Sequence, residues 1–163
     1  MADIAFLLLI FFLVATTLLD NKGLSMQLPA DVPPTETPIK ERNLFKIQIN
    51  SKNQFLIENE IRNNLDGVTE ELTEFIMNPQ QKGDLAERPE KAIISIKTQR
   101  GTEYKYFIET LDAVKESYYR IYGNKIGLSS DEFRALNLND KTQLSLYETA
   151  RAGVPMNISI ADN

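Results

Sequence analysis

The chain of 163 residues contains no cysteine, no histidine and no tryptophan. Without cysteine it can form neither a disulfide bond nor a thiolate metal site. Without histidine it lacks Ser-His and Cys-His catalytic pairs and most transition-metal sites. Carboxylates, lysine, tyrosine and serine are the only conceivable catalysts. The composition therefore argues against an enzyme and predicts no catalytic residue, cofactor or metal site.

A basic patch is also missing. The formal net charge is -5, with 18 Lys and Arg against 23 Asp and Glu. Nucleic-acid phosphates are bound by clustered Lys and Arg. We therefore expect no nucleic-acid partner.

Charge is absent between Asp3 and Asp20, in the opening run MADIAFLLLIFFLVATTLLD. The 16 intervening residues, as a helix rising about 1.5 Å per residue, cover roughly 24 Å, less than the ~30 Å hydrocarbon core of a bilayer. We predict a transmembrane helix over residues 1–20 that is truncated at its start, with residues upstream of Met1 missing from this chain.

A secretory signal peptide is the competing interpretation, because its apolar core is also short and N-terminal. No basic residue precedes Asp3, however, and the following TTLLDNKG offers no small-x-small cleavage site. These features favour a retained membrane helix. The flanking charges do not decide its orientation, since no Lys or Arg precedes the run and Lys22 follows it.

Residues 21–43 form the predicted linker. Four prolines, Pro29, Pro33, Pro34 and Pro38, lie within ten residues. Proline fixes φ and removes backbone donors, which favours an extended, semi-stiff tether.

Residues 44–163 carry the periodicities of a folded domain. Alternating Phe45, Ile47 and Ile49 predict a strand with one buried face. Ser129 and Glu132 have capping-box spacing, and Asp140 could cap a further short helix. The order β-β-α-β-α-αα-β predicts a small α+β two-layer domain with helices on one face of a mixed sheet. The predicted elements are LFKIQIN, QFLIENEI, a helix from Leu65 to Ile76, AIISIK, a helix from Tyr104 to Ile121, two short helices within 128–153, and a strand in VPMNISIAD.

Asp3 is the first candidate site residue. Asp is a favoured N-cap and suits the positive end of a helix dipole, so local spacing favours a capping role. If the helix instead began before Met1, Asp3 would lie inside the bilayer. An ionised carboxylate there costs several kcal/mol, and intramembrane acids usually mark ion or proton paths.

The run MADIAFLLLIFFLVATT resembles the transmembrane signature of the ExbD/TolR family of biopolymer-transport proteins, in which an Asp precedes an apolar helix containing Leu-Leu-Ile-Phe-Phe. Asp3 takes the Asp position and residues 8–12 take the apolar motif. GLSMQLPAD resembles the Leu-Pro segment after that helix, and AIISIK and YKYFIETLDAVKES resemble the family's periplasmic domain. The resemblance covers residues 1–77, 91–123 and 154–160, with insertions near 78–90 and 124–153.

The resemblance implies a subunit of a proton-motive-force-driven motor in the bacterial inner membrane, energising a TonB- or Tol-type envelope system. It implies a single-pass topology with a cytoplasmic N-terminus and a periplasmic domain. The implied partners are a pentamer of ExbB/TolQ-like multi-span subunits, a second copy in a dimer, and a TonB- or TolA-like protein. It makes Asp3 the proton-binding residue.

The other candidate site residues can also be explained by structural roles. On a helix Thr17 shares the Asp3 face and could line a proton path, although the spacing favours a hydroxyl that bonds its own i-4 carbonyl. Tyr104, Tyr106, Tyr118, Tyr119 and Tyr122 could form a ligand face, although core packing explains them as well. Solvated faces explain the acidic clusters at 58–60 and 70–74. The alternative function is a membrane-tethered periplasmic binding module, for example for peptidoglycan, without proton coupling.

Overall fold

The computed structural model describes residues 2–16 and 39–162, and the side chains of residues 4–11 and 39–161. The chain divides into two compact units, residues 1–37 and 38–163. The first contains helix α1 (Ala2–Thr16). Within the described residues, no helix combines the length and hydropathy that crossing a membrane requires. The transmembrane helix over residues 1–20 therefore stays a prediction.

The second unit consists of a five-stranded sheet and four α-helices among its described residues. Short 3-10 turns at Glu41–Asn43 and Pro89–Lys91 precede β1 and β4. The strands and helices, in chain order, are β1 (Leu44–Ile49), β2 (Phe55–Ile57), β3 (Glu60–Arg62), α2 (Val68–Met77), β4 (Ile93–Thr98), α3 (Tyr104–Ile126), α4 (Ser130–Arg134), α5 (Lys141–Arg151) and β5 (Ile158–Asp162).

The sheet is mixed, with the strand order β3-β2-β1-β4-β5. β1 runs antiparallel to β2 and parallel to β4, which in turn runs parallel to β5. Alternation along β1 buries Phe45, Ile47 and Ile49, and these side chains belong to the same apolar core as residues of α2 and α3. The architecture is that of a small α+β domain, as the element pattern predicted.

The prediction of one strand over QFLIENEI is wrong, because the chain reverses in its middle. Glu58 and Asn59 have φ values of 45° and 74°. Positive φ at both central residues is the geometry of a type I′ hairpin turn. Ile57 therefore pairs with Glu60, and β3 forms a second hairpin. Asn tolerates this backbone region better than most residues, but the turn lacks the glycine that usually marks it.

The last strand also begins later than predicted. β5 starts at Ile158, whereas alternation suggested a strand from Val154. Pro155 lacks an N–H for strand pairing, and the N–H of Asn157 donates to the Pro155 carbonyl. The Asn157 side chain donates to the carbonyls of Glu90 and Ala92, which fixes the entry into β5.

The segment 124–153 is built onto α3. Its helices are capped as predicted: Ser129 and Glu132 form a capping box, and the Asp140 carboxylate accepts hydrogen bonds from the N–H groups of Thr142 and Gln143. Phe133 of α4 packs against Tyr122, with ring centroids 5.4 Å apart, and stacks on Tyr147 at 5.2 Å. These rings join α4 and α5 to the domain core.

Candidate functional site

Helix α1 carries the first candidate site. It places Asp3 in its first turn, although the Asp3 side chain is not among those described. The large apolar side chains from Ile4 to Phe11 are 43 to 66% exposed. A helix that is apolar all round requires an apolar environment, such as lipid or the apolar surface of a partner protein.

The helical period places Leu7 and Ile10 on the same face as Asp3. A carboxylate in the first turn also suits the positive end of the helix dipole. The backbone of α1 is therefore compatible with Asp3 as a helix cap and with Asp3 as a proton-binding residue. Thr17 and the linker residues 21–38 lie outside the described residues.

Glu60, Glu70, Glu71 and Glu74 of the acidic clusters form ion pairs at the surface of the second unit, and Glu58 accepts a hydrogen bond from the backbone N–H of Lys46. The Arg62 guanidinium contacts the carboxylates of Glu71 at 2.6 Å and Glu60 at 3.1 Å, and these hydrogen bonds, with Glu71 the stronger partner, raise the pKa of Arg62. Glu70 pairs with Arg120 at 2.6 Å, and this hydrogen bond lowers the pKa of Glu70. The carboxylates therefore act in surface pairing, as expected for solvated faces. Among residues 4–11 and 39–161, no group of three acidic side chains is placed to hold a metal ion.

The tyrosines do not form a common ligand face. Tyr118 and Tyr122 are buried in the core, whereas Tyr104 is 71% exposed at the start of α3. Tyr106 and Tyr119 are partly buried against the core. Burial raises the pKa of Tyr122 to about 12. Core packing, rather than ligand binding, thus accounts for Tyr118 and Tyr122, but it does not account for the exposed Tyr104.

A groove of about 250 Å³ lies between the start of α3 and the edge strand β5. The half-buried side chain of Ile160 borders it on the sheet side. It combines apolar rings with hydroxyl, amide and carboxylate groups, which suits a peptide better than a metal or an anion. Its lining residues are Thr98, Gln99, Thr102, Glu103, Tyr104, Phe107 and Ile160.

One contact network was not foreseen from the sequence. Lys40, Arg42 and Asn43, just before β1, bond to the loop between α2 and β4; we call this network the Arg42 clamp. Arg42 donates from Nε to the carbonyl of Leu85 and from Nη2 to that of Lys82, both at 2.9 Å. The partners lie 40 or more residues apart in sequence, so no local pattern could indicate them.

The family model described as Biopolymer transport protein ExbD/TolR matches residues 1–123. The match includes α1, the clamp and the sheet up to β4, together with most of α3. It ends before α4 and α5, and the insertions near 78–90 and 124–153 stay predictions. No curated protein matches the chain.

Proposed function

Because the chain belongs to the ExbD/TolR family, we propose that it is the subunit of a proton-motive-force-driven inner-membrane motor that energises a TonB- or Tol-type envelope system. The family has an energy-transducing role in biopolymer transport, is typically associated with the inner membrane, and is not enzymatic. The observation that carries the proposal is that the family match begins at residue 1 and so includes Asp3 and the apolar helix.

Asp3 is the proposed proton carrier. Burial in an apolar environment favours the neutral acid, whereas a hydrated or polar site favours the carboxylate. Protonation would then decide whether Asp3 can cross an apolar surface of the partner subunits. One charge moved through the membrane potential supplies about 2.3 kcal/mol per 100 mV. Residues 4–19 contain no other acid. We propose Thr17 as a lining residue of the same path.

The proposed topology assigns residues 1–20 to a single membrane span, 21–43 to a periplasmic tether and 44–163 to the periplasmic domain. The exposed apolar surface of α1 supports this, because multi-span helices or lipid would cover it. The family has ExbB/TolQ-type and TonB/TolA-type partners in general. We propose a pentamer of the multi-span partner around a dimer of this chain.

The groove beside β5 is the proposed contact for the TonB- or TolA-like partner. Within the described part of the chain, β5 pairs with β4 on one side, which leaves its other edge to offer backbone N–H and C=O groups. An extended partner segment could add there as a further strand and place an apolar side chain beside Ile160. Titration with partner peptides should then shift the NMR signals of the β5 amides first.

The decisive variant is Asp3→Asn, which keeps the side-chain size and removes titration. With the chain and its ExbB/TolQ-type partner in proteoliposomes, we expect proton flux to fall to background, and energised uptake in cells to fail. Asp20→Asn, at the other end of the apolar run, is the matched control and should behave as wild type. Normal flux and uptake in Asp3→Asn would exclude the proton role.

Replacement of the whole helix distinguishes a motor subunit from a tethered binding module. Replacing residues 1–20 by an unrelated membrane span keeps the anchor but removes Asp3 and its helix. If the chain is a motor subunit, this chimaera should be inactive although it reaches the membrane. A fully active chimaera would favour the peptidoglycan-binding alternative.

A further inference from the structure

The Arg42 clamp holds the chain at the point where it enters the folded domain. Besides the two Arg42 hydrogen bonds, the Asn43 Oδ1 accepts a hydrogen bond of 2.9 Å from the backbone N–H of Glu87. Asn43 is 5% exposed, so this bond is protected from water. Charged donors such as Arg form stronger hydrogen bonds than neutral ones. Three side-chain hydrogen bonds to loop backbone therefore secure residues 42 and 43.

The loop on the other side of the clamp has its own internal support. Asn78, buried at 7% exposure, adopts a left-handed backbone with φ of 38° at the end of α2. Its amide donates to the carbonyls of Lys82 and Ala86 and accepts from the Lys82 N–H. Ala86 is completely buried in the core. The carbonyls that receive Arg42 thus belong to an ordered loop that is fixed to the core.

Ion pairs continue the clamp to Lys40, two residues before Arg42. The Glu87 carboxylate contacts the Lys40 ammonium at 2.6 Å and the Lys91 ammonium at 2.8 Å. Lys40 lies on the linker side and Lys91 beside β4, so Glu87 bridges the two. Surface ion pairs of this kind contribute little individually, but here they lie in series with the Arg42 and Asn43 contacts.

The chain order gives these contacts a mechanical consequence. A pull on residues before Ile39 reaches Lys40 first, then Arg42 and Asn43, and only afterwards β1, which lies in the middle of the sheet. We infer that the Arg42 clamp is the element that first resists a pull on the N-terminal segment, and that its release lengthens the tether while the sheet stays intact. The purpose of such a device rests on the proposed function, in which force passes between the membrane helix and the domain.

Single-molecule pulling on the full chain in a nanodisc tests the inference directly. The absence of native cysteine allows handles at Thr37→Cys and Asn124→Cys. We expect an early step of at most about 17 Å, the extended length of residues 39–43, before the domain unfolds. Arg42→Ala should lower the force of this step, and Arg42→Lys, which keeps the charge but loses the fork, should lower it less.

A second pulling direction separates the clamp from general destabilisation. Handles at Lys52→Cys and Asn124→Cys do not load residues 39–43, so Arg42→Ala should leave the first rupture force unchanged there. Arg88→Ala removes an exposed arginine from the same loop and is the matched control. An unchanged early step in Arg42→Ala, or an equal loss of force in both directions, would overturn the inference.

Hydrogen exchange provides a readout without force. In Asn43→Ala, we expect the Glu87 amide to exchange at least about tenfold faster, the factor that corresponds to 1.4 kcal/mol, while the amides of β1 keep their protection. Equal acceleration throughout β1 would contradict the inference. None of these measurements requires proton transport, so failure of the proposed motor function would be seen separately in the Asp3→Asn assay.

Discussion

The Tyr122 hydroxyl donates a hydrogen bond of 2.8 Å to the backbone carbonyl of Val154. Tyr122 lies on α3 and Val154 shortly before β5, 32 residues further along the chain. Both are almost completely buried. The bond therefore fixes the return of the chain from α5 to the last strand, and it satisfies a carbonyl that water cannot reach.

Tyr122→Phe should lower the free energy of unfolding by about 1–3 kcal/mol, because it leaves the Val154 carbonyl unpaired in the core. Chemical denaturation measures the change.

Tyr118→Phe is the matched control, on the same helix and equally buried. The Tyr118 hydroxyl has no hydrogen-bond partner within the described residues, and burial raises the pKa of Tyr118. Removing this hydroxyl should leave stability unchanged or raise it. Equal losses in both variants would show that the Tyr122 bond has no special role.

Gly123 permits a close approach between α3 and the segment that follows it. A Cβ at this position would lie 2.6 Å from the carbonyl oxygen of Leu128 and 2.9 Å from that of Ser129. Both obstacles are backbone atoms, so they cannot rotate away. Gly123→Ala should destabilise the domain by about 1–3 kcal/mol, the usual range for overpacking, measured as a shift of the denaturation midpoint.

Gly83→Ala is the control for this substitution. A Cβ at Gly83 meets no described atom within 4 Å, and the residue is exposed in the loop before β4. We expect a change within about 0.5 kcal/mol. A comparable loss at both glycines would contradict the steric explanation.

The lowered pKa of Glu87 should make the stability of the folded domain depend on pH. Hydrogen bonds from Lys40 and, less strongly, Lys91 lower the pKa of Glu87 from 4.5 to about 2. Between these values the folded chain binds fewer protons than the unfolded chain, so stability falls as pH falls. The contribution is therefore complete above pH 4.5 and is lost by about pH 2.

Glu87→Gln should flatten the decrease in thermal midpoint across this window, and the difference from wild type should shrink at high salt, because salt screens exposed charges. Glu148→Gln, at an exposed position of α5, makes the same charge change elsewhere. If both variants show the wild-type slope, the Lys40 and Lys91 contacts do not contribute in solution.

The amino-acid pattern alone predicted much of this fold. Alternation identified β1, and the 3.6-residue period identified α3 over most of its length. Ser129, Glu132 and Asp140 predicted the caps of α4 and α5, because capping depends on residues three or fewer positions apart. The resemblance seen in the apolar run with Asp3 agrees with the family match, while the roles of Asp3 and Thr17 stay predictions.

Tertiary structure decided the features that depend on distant residues. The reversal at Glu58 and Asn59 is stabilised by the pairing of β2 with β3, and the start of β5 by Asn157 bonds to residues more than 60 positions earlier. The Arg42 clamp likewise joins residues separated by 40 or more. Periodicity reports which face of an element is buried, and caps report its ends, so the sequence by itself determined most of the elements, though not the division into β2 and β3. Hydrogen bonds between remote segments form only when the chain is folded, and these decided where the elements stop and how the linker is held.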